Sequence, residues 1–302
     1  MAGPGERFWN LLAAGEPLVA DGPMGTRLAE LGLAPGEPPE AWLLEPARHA
    51  AIRAVHRSYL EAGARILLTD TFGGHPVRLA RHGLADGAAA IDRRAVDLAR
   101  AEAGDRAVVA GSMGPTGEFL EPLGTLSAAT ARAGYAEQAA ALANGGVDVL
   151  WIETMSDMAE VRAAVEGARE VAPDLPIVVT LTFNAGGATM MGTRPAEAAD
   201  ALAELGVAAA GANCGTGSAE VEAAVAAMHA ARPDLVLVGK PNAGLPRLEG
   251  GRTVYEELPE TMGAGAARIL AAGARIVGAC CGGTPDHVRA IADAAEAARV
   301  GR

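Results

Sequence analysis

The chain contains three cysteines, and each stands where an apolar run gives way to a glycine-rich turn. Cys280 and Cys281 follow Ala274-Arg-Ile-Val-Gly-Ala279 and lead into Gly282-Gly-Thr-Pro285. Cys214 follows Val207-Ala-Ala-Ala-Gly-Ala-Asn213 and leads into Gly215-Thr-Gly217. Read as strand exits, these positions offer three thiols to one point. A thiolate-preferring metal such as zinc takes three protein ligands and keeps a fourth position open when it does chemistry. The rival is plain packing, because free cysteine usually behaves as a small apolar residue. Three of three at strand exits, two of them adjacent, favours the metal. The six histidines fall on predicted helices or loops without a His-x-His pair, so they read as surface or core residues.

Composition limits the partners. The 302 residues carry 25 basic against 37 acidic side chains, a formal net charge of −12, and Lys240 is the single lysine. That balance excludes the basic patches that nucleic acid or an anionic membrane requires. Adjacent Cys280 and Cys281 pair only through a strained ring, and three thiols cannot all pair, which points to a reducing compartment. No charged leader followed by an apolar segment opens the chain, and no apolar run reaches about 18 residues. The expectation is a cytoplasmic, soluble protein, with assembly of identical chains left open.

The elements that must position the thiols follow from the pattern. Apolar runs at 18–20, 64–70, 106–112, 147–153, 176–182, 207–213, 235–239 and 274–279 read as strands. They alternate with helical spacing at 47–62, 87–103, 127–144, 157–171, 195–205, 218–231, 260–272 and 285–299, with Ser127 as an N-cap and glycines closing several helices. Near-continuous apolar strands belong to parallel sheets covered on both faces. Eight such units in this length predict a single-domain α/β chain spanning 1–302, a (β/α)8 TIM barrel with its core at about 8–299; a doubly wound open sheet is the alternative. In a barrel the strand ends share one mouth. The sixth and eighth strands flank the seventh, so their ends lie ~10 Å apart and their side chains can close on one ion.

Asp21-Gly-Pro-Met-Gly-Thr26, Thr69-Asp-Thr-Phe-Gly73, Gly114-Pro-Thr-Gly117, Glu153-Thr154, Gly211-Ala-Asn-Cys214, Pro241-Asn-Ala-Gly244 and Gly278-Ala-Cys-Cys-Gly-Gly283 occur in that order across nearly the whole chain. In these pieces and their order the chain resembles the homocysteine S-methyltransferase family, which includes the homocysteine-binding domain of methionine synthase and the betaine–homocysteine methyltransferases. The resemblance implies zinc on Cys214, Cys280 and Cys281, and a thiol of L-homocysteine completing the tetrahedron. It also implies that Asp21 and Glu153 hold the homocysteine ammonium, and that the Gly22–Gly25 turn, Met24 and Gly25 included, takes the carboxylate. Asn213 is expected among the substrate-binding residues, and Trp42, Phe72 and Asn242 are candidates for the donor site or the zinc surroundings. Asp21 as a turn cap, Asn213 and Asn242 as backbone partners, and Trp42 or Phe72 as plain packing are the structural alternatives.

The implied reaction is methyl transfer from a cationic donor to a thiolate, giving methionine. Similarity of Gly114–Gly124 and Thr189-Met-Met-Gly192 to bacterial betaine-type proteins favours betaine. A departure stands at Gly73, where the vertebrate betaine enzymes carry a tyrosine that reaches the zinc site. S-Methylmethionine as donor, a homocysteine-activating module served by a separate corrinoid or methylfolate partner, and a non-catalytic thiol–zinc redox sensor remain as alternatives.

Overall fold

Along a strand, alternate side chains face opposite sides, so a strand covered on both faces feeds two cores. In a computed structural model of the chain, which describes residue 3, residues 5–249 and residues 252–300, this division is plain. Val108, Ala110, Val149, Trp151, Val178, Ala209, Val238 and Ile276 share an inner cluster. Val109, Leu150, Ile152, Val179 and Ala210 join a larger outer cluster with helical residues.

The strands are β1 (Leu18–Val19), β2 (Ile66–Leu68), β3 (Val108–Met113), β4 (Val149–Met155), β5 (Ile177–Leu181), β6 (Ala209–Cys214), β7 (Leu237–Pro241), β8 (Arg247–Glu249), β9 (Arg252–Val254) and β10 (Ala274–Val277). Eight of them form one parallel sheet in the order β1-β10-β7-β6-β5-β4-β3-β2. A parallel bridge from Ala20 to Ile66 joins its two ends, with the Arg65 N–H donating to Val19 O at 2.7 Å and the Asp21 N–H to Ile66 O at 3.0 Å. The sheet therefore closes as a (β/α)8 barrel. β8 and β9 pair with each other as an antiparallel hairpin in the loop that follows β7.

The helices are α1 (Glu6–Ala13), α2 (Met24–Glu30), α3 (His49–Glu61), α4 (Pro76–Ala80), α5 (Ala88–Ala103), α6 (Ala128–Gly145), α7 (Met158–Val171), α8 (Pro195–Glu204), α9 (Ser218–Ala231), α10 (Pro259–Ala271) and α11 (Pro285–Val300). Eight of these match the helices expected from periodicity. The Ser127 side chain caps α6 by accepting from the Thr130 N–H at 3.1 Å. The other three, α1, α2 and α4, lie outside the eight expected segments. α1 drives Phe8, fully buried, into the inner cluster, and so plugs the barrel at the end away from the cysteines. The turn expected at 22–25 continues as α2, which starts at Met24 after Pro23.

The eighth barrel strand is shorter than expected, ending at Val277 rather than Ala279. Its continuation is nonetheless laced to both neighbours: the Ala279 N–H bonds Asp21 O at 3.1 Å and the Cys280 N–H bonds Pro241 O at 2.8 Å. The backbone thus delivers Cys280 between the ends of β1 and β7. No helix among the described residues is long and apolar enough to cross a membrane.

Candidate active site

Inward-facing residues of a barrel strand recur every second position, so the alternation that buries Val238 and Val149 also turns Lys240 and Glu153 inward near the mouth. A cavity of about 350 Å³ opens there, lined by the Gly22–Thr26 segment, Glu40, Asp70, Phe72, Glu153, Lys240 and the three cysteines, among others. Trp151, the largest inner side chain on β4, lies beneath it, with Lys240 Nζ 5.5 Å from the centre of its ring.

The structure brings the three thiols together. The ligand atoms of Cys214, Cys280 and Cys281 all lie within 4.8 Å of one another, and the sulfurs of Cys280 and Cys214 are 3.5 Å apart. Hydrogen bonds from its two neighbours push the Cys281 thiol down, while the same contacts push Cys214 up. Three sulfurs this close share protons because they cannot all carry charge without a cation. Such a group can hold a metal ion.

Local backbone geometry is spent on this arrangement. Cys214 and Thr154 adopt left-handed conformations, with φ of 64° and 61°, and they are the two non-glycine residues that do so among those described. Each costs on the order of 1–3 kcal/mol unless its surroundings impose it. Asn213 supplies that constraint for Thr154: its Oδ1 accepts the Thr154 N–H at 3.0 Å and its Nδ2 donates to Thr154 Oγ1 at 2.7 Å. The same Nδ2 points at Cys280 Sγ, 3.7 Å away. Asn242 acts on the other side, donating to Gly215 O at 2.7 Å and so holding the turn after Cys214. Both asparagines therefore sit behind the thiols, as backbone and ligand supports.

Buried charges cluster at the floor. Asp21 is 2% exposed and Lys240 3%, with Lys240 Nζ 3.6 Å from Asp21 Oδ1, an ion pair longer than a hydrogen bond. Asp21 Oδ2 accepts the Leu68 N–H at 2.8 Å, whereas Oδ1 has no hydrogen-bond donor. Burial pushes the Asp21 carboxyl up to about 7 despite the pull of Lys240. Glu153 is buried as well, accepts from Ser112 Oγ at 2.6 Å, and is raised by burial against the same lysine. Two carboxyls and one ammonium leave this floor one positive charge short when both acids are ionised.

Met24 and Gly25 open α2, so their backbone N–H groups have no intrahelical acceptor, and both residues line the cavity with Gly22. Phe72 also lines it, but one face of its ring is covered by the Arg78 guanidinium at 4.8 Å. Trp42 departs from expectation. It is fully buried in the outer core, with Arg48 stacked 4.5 Å from its ring centre and its Nε1 donating to Glu37 at 3.2 Å. Long loop residues such as 37–48 lack a period that says which side chain reaches the mouth. Glu40, two positions earlier, is the one that does.

Three participants had weaker sequence signals. Asp70 continues the inward alternation of Ile66 and Leu68, and that period was available to place it. Glu40 carried no such signal. Tyr255, in the loop after β9, packs over Gly282: a Cβ there would lie 2.2 Å from Tyr255 Cγ, and φ at Gly282 is +79°. The tyrosine thereby stands beside Cys281, and burial together with that neighbour pushes its phenol up.

Comparison with known proteins agrees with this geometry. The family description "Homocysteine S-methyltransferase" matches residues 18–295. Methionine synthase of Mycobacterium leprae is 35% identical over 294 residues, and that of Mycobacterium tuberculosis 34%; each alignment covers 92% of this chain. The chain spans about a quarter of the length of these curated relatives, 24% in each case. Among solved structures, the metallated form of the homocysteine methyltransferase MmuM from Escherichia coli superposes with a TM-score of 0.79 at 26% identity, over 95% of this chain and 99% of that one. On the match across residues 18–295, the chain belongs to the homocysteine S-methyltransferase family.

Proposed function

We propose that this chain transfers a methyl group from a cationic donor, betaine favoured, to the thiol of L-homocysteine, yielding methionine. The observation that carries the reading is the placement of three convergent thiols in the same cavity as Glu153 and Lys240, with the buried Asp21 paired to that lysine. One group suits sulfur chemistry; the other suits the charged end of an amino acid.

The thiols fit zinc. Two sulfurs each ~2.3 Å from a tetrahedral ion lie about 3.8 Å apart, close to the 3.5 Å between Cys214 and Cys280. The donor set is all sulfur, which selects a soft ion over magnesium or calcium. Cys214, Cys280 and Cys281 would hold the zinc, which would keep an incoming thiol deprotonated and nucleophilic at neutral pH.

The remaining residues bind and orient. Asp21, whose Oδ1 has only the long ion pair with Lys240, and Glu153 hold the acceptor's ammonium, while the N–H groups of Met24 and Gly25 receive its carboxylate. Lys240 limits the repulsion between Asp21 and Glu153, so that they remain available to a cation. Asn213 and Asn242 hold the cysteines in register. In the displacement, the acceptor sulfur's electron pair forms the new S–CH3 bond, and the bond from methyl to the donor's nitrogen or sulfur breaks, its pair leaving with the neutral donor. A thiolate and an onium centre thus become a thioether and an uncharged amine or sulfide. Poor solvation of the reactants in a cavity walled by Phe72 and Met24 favours that course, and alignment of the three atoms supplies the rest.

The test is direct. Protein loaded with zinc and given homocysteine should form methionine with at least one of betaine, S-methylmethionine and dimethylsulfonioacetate, and chelation should abolish it. No methionine from any of these donors would end the reading. The similarity to a quarter of methionine synthase supports a second reading, an acceptor-activating unit served by a separate methyl carrier. Methionine formed from methylcobalamin and from no cationic donor would select it.

A further inference from the structure

We infer that Asp70, together with Glu40, forms a recognition subsite for the positively charged onium group of the methyl donor, so that Asp70 is a specificity-determining residue. This rests on the methyl-transfer reading above and goes beyond it by placing the donor's charge.

Asp70 is 4% exposed and lines the cavity of the cysteines. Its Oδ2 is buried without any hydrogen-bond partner. An unpaired buried carboxyl is costly, and nothing nearby offsets the cost: burial pushes Asp70 well above the usual carboxylate range, and the neighbouring Glu40 pushes it further. Lys240 acts on Asp21, Glu153 and Cys280, but it does not relieve Asp70.

Glu40 comes from a separate segment, the connection between α2 and α3. It is 3% exposed, lines the same cavity, and is held by the Gly73 N–H at 2.5 Å. The glycine is what admits it, because a Cβ at residue 73 would sit 2.7 Å from Glu40 Oε1.

Two buried acids line one space; Arg78, stacked on Phe72, and His82 act on Glu40, but neither relieves Asp70, whose free oxygen is the place for a cation. A metal ion is the poorer fit: among the described residues the groups of three or more suitable ligands reduce to the three cysteines. An organic cation needs no such ligand set. A sulfonium or quaternary ammonium group offers diffuse charge and methyl surface, and Phe72 adjoins the acids to receive the methyls. The acceptor's own ammonium is served by the other acid pair at the floor, leaving Asp70 and Glu40 for the donor.

The test isolates charge. Metal-loaded wild-type protein and the Asp70→Asn and Glu40→Gln variants are titrated by calorimetry with betaine, with S-methylmethionine, and with 3,3-dimethylbutanoate, the uncharged-head isostere of betaine. Wild type should bind at least one of the two cations about tenfold or more tightly than the isostere. Asp70→Asn should lose most of that preference while keeping its metal content, its cooperative unfolding and its KM for homocysteine. Glu40→Gln, which keeps an acceptor for the Gly73 N–H, provides a second reading of the same effect. Absence of a cation preference in wild type, an unchanged preference in both variants, or a rise in homocysteine KM in place of the donor effect would overturn the subsite. Cation binding that depends on Asp70, without any methyl transfer, would refute the proposed reaction and leave the subsite standing. Methyl transfer with an unchanged preference would do the reverse.

Discussion

Asn213 Nδ2 lies 3.7 Å from Cys280 Sγ while the same amide grips Thr154 through both of its polar atoms. One side chain at the end of β6 thus links the end of β4 to a thiol beyond β10. Groups that orient metal ligands in this way are typically worth 10–100-fold in metal affinity. Asn213→Ala should weaken zinc binding by about tenfold or more, measured by competition with a chromophoric chelator. Unchanged affinity would reduce Asn213 to a backbone support for Thr154.

Glu153 tests the acceptor end. Its charge-assisted contact to an ammonium is worth roughly 1.5–3 kcal/mol, or about ten-fold or more in binding. Glu153→Gln retains an acceptor for the Ser112 hydroxyl, so the fold and the metal should persist while the KM for homocysteine rises by about that factor. A variant with normal KM and normal metal content would remove Glu153 from the acceptor site.

Asp21 carries a pH signature. Burial lifts its folded-state value to about 7, against ~3.9 in an unfolded chain. Between these values the folded protein holds a proton that the unfolded chain releases, so the Asp21 contribution to stability falls as pH rises from about 4 to about 7. Denaturant unfolding of metal-free wild type and Asp21→Asn should show the variant gaining relative stability across that window. A difference that stays flat with pH would mean Lys240 keeps Asp21 ionised throughout.

His56 gives the opposite sign at a distance from the site. It is fully buried in α3 with neither ring nitrogen hydrogen-bonded, and burial depresses it to about 4. The unfolded chain takes up a proton near pH 6.5 that the folded chain refuses, so stability is lost as pH falls from about 6.5 towards 4. His56→Leu removes the unpaired polar atoms and should stabilise by about 1–3 kcal/mol at neutral pH, with a larger gain at pH 5. A loss of stability that is the same at both pH values would show that the imidazole is valued for its shape alone.

Much of the fold is legible in the sequence. Strand and helix alternate with strong apolar contrast, so the barrel and its eight-fold repeat follow from local pattern. Cys214, Cys280 and Cys281 were equally legible, because strand exits at one end of a barrel are bound to converge and three thiols have few other uses. Asp21 and Glu153 were readable for the same reason.

What the tertiary structure decided lies in the loops and in charge balance. Trp42 and Glu40 sit two residues apart in a segment without periodicity, and only packing determined that the tryptophan goes to the core and the glutamate to the cavity. Gly73 reads in sequence as a missing tyrosine; in three dimensions it is the space into which Glu40 fits. Lys240 was visible as a lone lysine at a strand end, yet its partnership with Asp21 rather than Asp70 depends on how β1, β7 and β2 are arranged around the closed barrel. Sequence period reports which face a residue occupies, because that is set by its own backbone. The identity of the charge it meets across the barrel is set by strands far away in the chain.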